Sequence, residues 1–235
     1  MKEGGVEIPF YYEGKGQESM AAWFPYVYFS YGGTLEQDGK LAIDQDACVQ
    51  GLTVWDTMNK EGLFEPDVTA GDFNQQRATM TGQTAGMTMT GPWLIGMYAE
   101  DNPDAQFGTF QIPTGTEQAT VGVTDAYILF ADSPNQAAAV AFAEFVMDKD
   151  KNLRFIRDRG FLPIYTEHFS LPEFQEGPIK AFVDALPSAK FVPINASWVE
   201  FDKIGTDAIT AMFLDGTGPE VACQAMVDGL AGIAQ

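Results

Sequence analysis

Four tryptophans dominate any search of this chain for chemistry. Trp93 follows Gly91-Pro92 at an expected strand-to-helix corner, and Trp198 opens an expected helix just after Pro193-Ile194-Asn195-Ala196. Trp23 has polar Gln17, Glu18 and Ser19 close upstream, whereas Trp55 falls on the apolar face of a helix and is expected in the core. Residues at strand ends and helix starts line the crevice of an open α/β sheet. An aromatic ring there can stack on the apolar face of a flat ligand while polar neighbours bond its hydroxyls. The competing assignment for Trp93, Trp198 and Trp23 is ordinary core packing.

Covalent and metal chemistry find little support. His168 is the only histidine, in Thr166-Glu167-His168-Phe169, and reads as an exposed loop residue with no nucleophile near it. No phosphate loop, dinucleotide glycine fingerprint or HExxH is present, and Gly14-Lys15-Gly16 is too short for a phosphate loop. Two cysteines without a CxxC or a Cys/His cluster exclude a structural zinc site. No metal or other cofactor is implied. Cys48 and Cys223 either form one disulfide in an oxidising compartment or stand as two buried thiols on separate helices, the second being the simpler expectation. An acid pair for glycan hydrolysis could hide among 33 Asp and Glu, but no spacing singles one out. Asn195-Ala196-Ser197 matches a glycosylation sequon, a match common by chance.

Those 33 acids against 13 Lys and Arg leave a net charge of −20. Such a chain repels phosphate backbones and anionic lipid, so no nucleic-acid partner is expected. The acids are scattered, as in a self-repelling acidic protein. No run approaches the ~18 apolar residues of a membrane helix. Lys2 and Glu3 after Met1 do not open a signal peptide, so either the protein is cytoplasmic or its true N-terminus lies upstream.

The elements that would position these residues alternate between short strands and helices, the pattern of an α/β domain. Strands are expected over 7–12, 85–90, 107–112 and 126–130. Helices are expected over the aromatic stretch 23–29, with Pro25 in its first turn, and over 44–61, capped by Asp44 or Asp46 and stopped by Gly62. Further helices are expected over 72–81, from Trp93, from Ser133-Pro134 to Met147, and over 150–159 closed by Gly160. Helices over 178–185, 197–214 and 219–234 complete the chain.

In register along this order lie several motifs. Asp72-Phe73-Asn74-Gln75-Gln76-Arg77 leads through Gly82-Gln83-Thr84-Ala85-Gly86-Met87 to Gly91-Pro92-Trp93. Phe110-Gln111-Ile112-Pro113-Thr114-Gly115, the Ser133-to-Val146 helix, Gly160-Phe161-Leu162-Pro163, and the closing helices through Trp198 and Asp215-Gly216 follow. Together they resemble the family 1 extracellular solute-binding proteins of ABC sugar importers, the maltose-binding-protein-like group, over nearly the whole chain.

The resemblance implies a periplasmic-binding-protein-like fold of type II, two α/β lobes joined by a hinge and closing on a mono- or oligosaccharide. It implies that the chain is a binding component rather than an enzyme, periplasmic or extracellular, with permease transmembrane subunits as partners. Trp93 and Trp198 match aromatic positions that stack on sugar, and Trp23, with Glu18 beside it, falls near a third. Gly122-Val123-Thr124-Asp125 matches a segment near the hinge that reaches the ligand, which makes Asp125 a candidate hydroxyl acceptor.

Family members are much longer. The resemblance therefore implies mostly the C-terminal lobe, with its core in 1–120, a segment 121–169 crossing to the other lobe, and return helices in 170–235. The N-terminal lobe would come from the same chain or a second one, and without it apolar faces such as Ala126-Tyr127-Ile128-Leu129-Phe130 would be bare. Two alternatives stand beside sugar capture: a glycan-active enzyme with an acid pair, and the same fold binding another solute such as a polyamine.

Overall fold

The computed structural model describes residues 4–15, 20 and 23–233. Aromatic packing organises its centre. The rings of Phe10, Tyr12, Trp23, Trp55, Phe64 and Phe213 form one cluster, with centroids 4.8 to 6.5 Å apart. Each side chain is nearly or fully buried, and such tilted and edge-on ring pairs add to the burial of large apolar areas.

Helix α1 (Phe24–Ser30) carries Pro25 in its first turn, where no backbone donor is lost. It packs against α2 (Gln45–Lys60). Asp44 caps α2 by accepting from the Ala47 N–H at 2.8 Å, and Cys48, Leu52 and Trp55 form its buried stripe. Between these helices a hairpin pairs β1 (Glu36–Gln37) antiparallel with β2 (Lys40–Leu41). The turn residues Asp38 and Gly39 both have positive φ, 54° and 75°. Asp-Gly is the dipeptide that suits such a turn, and it is visible in the sequence once sought.

The expected strands over 7–12 and 85–90 come together as parallel bridges, Ile8 with Ala85 and Tyr11 with Thr88. Between them lies α3 (Phe73–Thr81), capped by Asp72, which accepts from the N–H groups of Asn74 and Gln75. Gln76, 1% exposed, reaches from α3 to Thr88 Oγ1 (2.9 Å) and the Met89 carbonyl (3.2 Å), fixing the segment that leads into α4 (Trp93–Asp101).

Two short strands run parallel, β3 (Thr120–Gly122) beside β4 (Ala189–Phe191). Between them the chain makes an excursion containing α5 (Gln136–Met147), α6 (Lys149–Arg159), 3-10 turns at Thr166–Ser170 and Pro172–Phe174, and α7 (Lys180–Ala185). α8 (Trp198–Asp215) and α9 (Pro219–Gly232) then pack on each other, and α9 packs on α2.

Several expectations are corrected here. Residues 107–112 and 126–130 form no strand ladder. An extended segment becomes a strand only when a second segment pairs with its backbone groups in a ladder, and no described segment pairs so with either. α5 begins at Gln136 rather than at Pro134, and Ser133 Oγ accepts from Asn135 N–H in a turn ahead of it. His168 is 8% exposed, edge-on to Tyr165 at 5.6 Å, because the 3-10 turn folds it inward. Cys48 and Cys223 are not free thiols. They form a disulfide between α2 and α9, with Cα atoms 5.9 Å apart.

Candidate functional site

Trp93 is the first residue of α4 and is half-buried. Its indole folds back over Gly91: a Cβ on that residue would lie 1.9 Å from the indole Cζ3. Only a glycine leaves room for the ring at that corner. The parallel bridges bring the ends of the two extended segments, Tyr12 to Lys15 and Gly91 to Trp93, to one edge.

Trp198 is the first residue of α8 and is also half-buried, edge-on to Phe201 at 5.8 Å. The turn before it is made by Asn195, whose Oδ1 accepts from the Ser197 N–H at 2.8 Å and whose carbonyl accepts from the Trp198 N–H at 3.1 Å. Phe201, fully buried, anchors the helix beneath the indole.

The other expected site residues lie differently. Trp23 is 2% exposed and packs on Tyr12 with ring centroids 4.8 Å apart, so it is a core residue with no face open to a ligand. Its apolar neighbours arrive from distant parts of the chain, which outweighs the polar residues beside it in sequence. Asp125 is exposed just past β3. Glu18 lies outside the described residues.

Along α8, starting at Val199, the structure opens a cleft of about 450 Å³. Gly14, Lys15 and Thr69 form one wall, and Val199, Asp202 and Lys203 of α8 contribute to the other. The volume is within the range of small-molecule sites. Farther along the same wall, the Thr206 hydroxyl oxygen is buried without a hydrogen-bond partner among the described residues. Asp202 is 3% exposed. Lys203 is paired with Asp207, and Lys15 with Asp72 at 3.4 Å, so both cations of the cleft are balanced. Sequence reasoning missed this wall. Its signal was the helical spacing 198, 202, 206 and 210, which continues the line of Trp198 with Asp and Thr along one stripe of α8.

Carboxylates gather at the neighbouring edge. Glu65 Oε2 accepts from the Tyr12 N–H at 3.1 Å, and burial pushes its carboxyl up to about 7. The Tyr11 hydroxyl donates to the Asp72 carbonyl at 3.2 Å. Burial holds its pKa well above the ordinary phenol value, and the charges of Glu65, Asp72 and Glu13 add to the effect. The backbone N–H of Gln75, and then Lys15, draw the Asp72 carboxyl below its usual range.

Residues 10–181 match the family described as Bacterial extracellular solute-binding protein. The chain belongs to this family. Proteins of Brucella abortus (strain 2308) and Brucella suis biovar 1 (strain 1330) whose names describe them as binding proteins are each 28% identical to it over 221 residues. These matches cover 92% of this chain and 54% of each relative, so the chain spans about half the length of the curated relatives it matches.

Solved structures of the same fold include maltose-bound MalE3 of T. maritima, at TM-score 0.82 and 18% identity over 99% of this chain and 62% of that one. The GacH receptor of Streptomyces glaucescens, solved unliganded and with acarbose, superposes at TM-score 0.81 and 19% identity over 98% of this chain and 60% of that one. A sugar transporter of Arthrobacter chlorophenolicus with bound laminaribiose superposes at 0.81 and 15% identity, over 99% and 62%. The fold is thus that of the type II periplasmic binding proteins. Both the family and these structures are binding proteins rather than enzymes.

Proposed function

We propose that the protein bearing this chain captures a mono- or oligosaccharide between two lobes outside the cytoplasm and delivers it to the transmembrane subunits of an ABC permease. One observation carries the sugar assignment: two half-buried indoles stand at helix starts, and one of them, Trp198, opens the helix whose Val199, Asp202, Lys203 and Thr206 line a cleft. Stacking by Trp93 and Trp198 would hold the apolar ring face, while Asp202, Lys203 and Thr206 would bond hydroxyls. Asp125 would join them only if the far lobe carries it inward on closing.

The paired strands supply the crossing, out through β3 and back through β4. On this reading the segment that leaves the main lobe extends past the 121–169 expected from sequence, as far as Ala189. The rest of the longer protein would then cover the apolar faces of the excursion. A disulfide between buried cysteines favours a periplasmic or extracellular setting, since thiols in the cytosol are kept reduced.

Titration of the full-length protein with maltose, laminaribiose and monosaccharides, followed by tryptophan fluorescence, tests the assignment. Saturable quenching or enhancement is expected, with no turnover of reporter glycosides. A polyamine is the second reading, favoured by the carboxylates around Tyr11. Saturable binding of spermidine with no response to any sugar would select it.

A further inference from the structure

Trp93 is set between two glycines from different parts of the chain. Gly91 lies under its ring, as described above. Gly160 meets its backbone: a Cβ there would lie 3.1 Å from the Pro92 carbonyl oxygen and 3.3 Å from Trp93 Cα. Both are main-chain atoms at the start of α4, which cannot swing aside as a flexible side chain can. Such distances require the corner to move by a few tenths of an ångström.

Gly160 belongs to the excursion between β3 and β4, where it ends α6 in the left-handed conformation, φ 71°. The N–H groups of Gly160 and Phe161 both donate to the Ile156 carbonyl, and Ile156 is 3% exposed. The rings of Phe155 and Phe161 stack at 5.9 Å across the turn. The end of α6 is therefore a firm corner, bare at the position that meets α4.

We infer that Gly160 is a positioning residue for Trp93: the seat of the excursion against Pro92–Trp93 sets where the indole is presented. This rests on the capture reading above. Under it, stacking on Trp93 and closure of the excursion are linked. A ligand that prefers the seated indole favours the seated excursion by the same factor.

The test uses the full-length protein with Gly160→Asn. Asparagine tolerates the left-handed region, so the added side chain acts rather than backbone strain. Gly177→Asn is the control, because Gly177 lies in the same excursion with φ 66° and has nothing within 4 Å of an added Cβ. Two quantities are read: affinity for maltose and laminaribiose, and acrylamide quenching of Trp93, taken as the difference from a Trp93→Phe background.

In Gly160→Asn, sugar affinity is expected to fall roughly tenfold and Trp93 to become more quenchable, with Gly177→Asn like the wild type in both. Equal quenching in the two variants overturns the inference. So does unchanged affinity in Gly160→Asn when the wild type binds sugar. If the wild type binds neither sugar, the capture reading fails separately, and the quenching comparison alone decides the role of the glycine. Should Gly160→Asn fail to fold, Gly160→Ala is read against Gly177→Ala, which carries the same left-handed strain with nothing within 4 Å of its Cβ.

Discussion

An indole serves a ligand only when one face is bare and the rest of the ring is held, and the tryptophans of this chain divide on that criterion. Trp93 and Trp198 retain exposed surface at helix starts, whereas Trp23 is sealed among Tyr12, Phe10 and Trp55. Trp93→Ala and Trp198→Ala should each weaken sugar binding at least about tenfold, the loss expected for a stacking anchor, with a smaller loss of stability than Trp23→Ala. Trp23→Ala should instead cost about 3–5 kcal/mol of stability, read by urea unfolding, because it opens a cavity in the aromatic cluster. Glu65 carries a pH signature. Burial raises its folded pKa to about 7, above the ordinary 4.5, so the folded state binds its proton more tightly than the unfolded chain. Its contribution is fully present below pH 4.5 and is lost as pH rises to about 7. Glu65→Gln keeps the acceptor for Tyr12 N–H and should remove that loss. After discounting for partial exposure, the gain above pH 7 is about 1–2 kcal/mol, seen as a flatter stability profile between pH 4.5 and 7.

Helix boundaries were largely legible because their causes are local. The Asp44 cap with the Cys48-Leu52-Trp55 stripe, and the Gly160 and Gly216 stops with φ of 71° and 64°, follow from residues within a turn or two of each other. The strands were less legible. β3 and β4 are three residues each and are defined by one another across the whole excursion, whereas 126–130 has strand composition and no strand pairs with it among the described residues. The disulfide joins elements 175 residues apart and ties α9 to α2. Replacing both cysteines by serine should cost about 2–5 kcal/mol, measured by denaturant unfolding, and should loosen α9 first, seen as faster amide exchange over 219–232.

At the scale of the molecule, apolar exposure concentrates in one region. No residue of α5 is buried, and Tyr127, Ile128, Phe130, Phe142 and Phe145 are 58% to 79% exposed. Isolated apolar side chains at a surface are ordinary, but a contiguous set of this size marks a face that something covers. If the remainder of the longer protein covers it, the full-length protein should bind little of an apolar-surface dye such as ANS. This chain alone should bind it strongly and self-associate as concentration rises, measured by sedimentation.

The residues alone determined where helices start and stop, which indoles stand at element ends, and the motif register that identifies the family, because each depends on neighbours in sequence. Tertiary structure alone decided that Trp23 is buried, that Cys48 meets Cys223, that α8 lends a polar wall to the cleft, and that Gly160 meets Trp93. These rest on contacts between residues far apart in the chain, and the spacing of residues along a sequence carries no record of which distant surfaces will exclude water together.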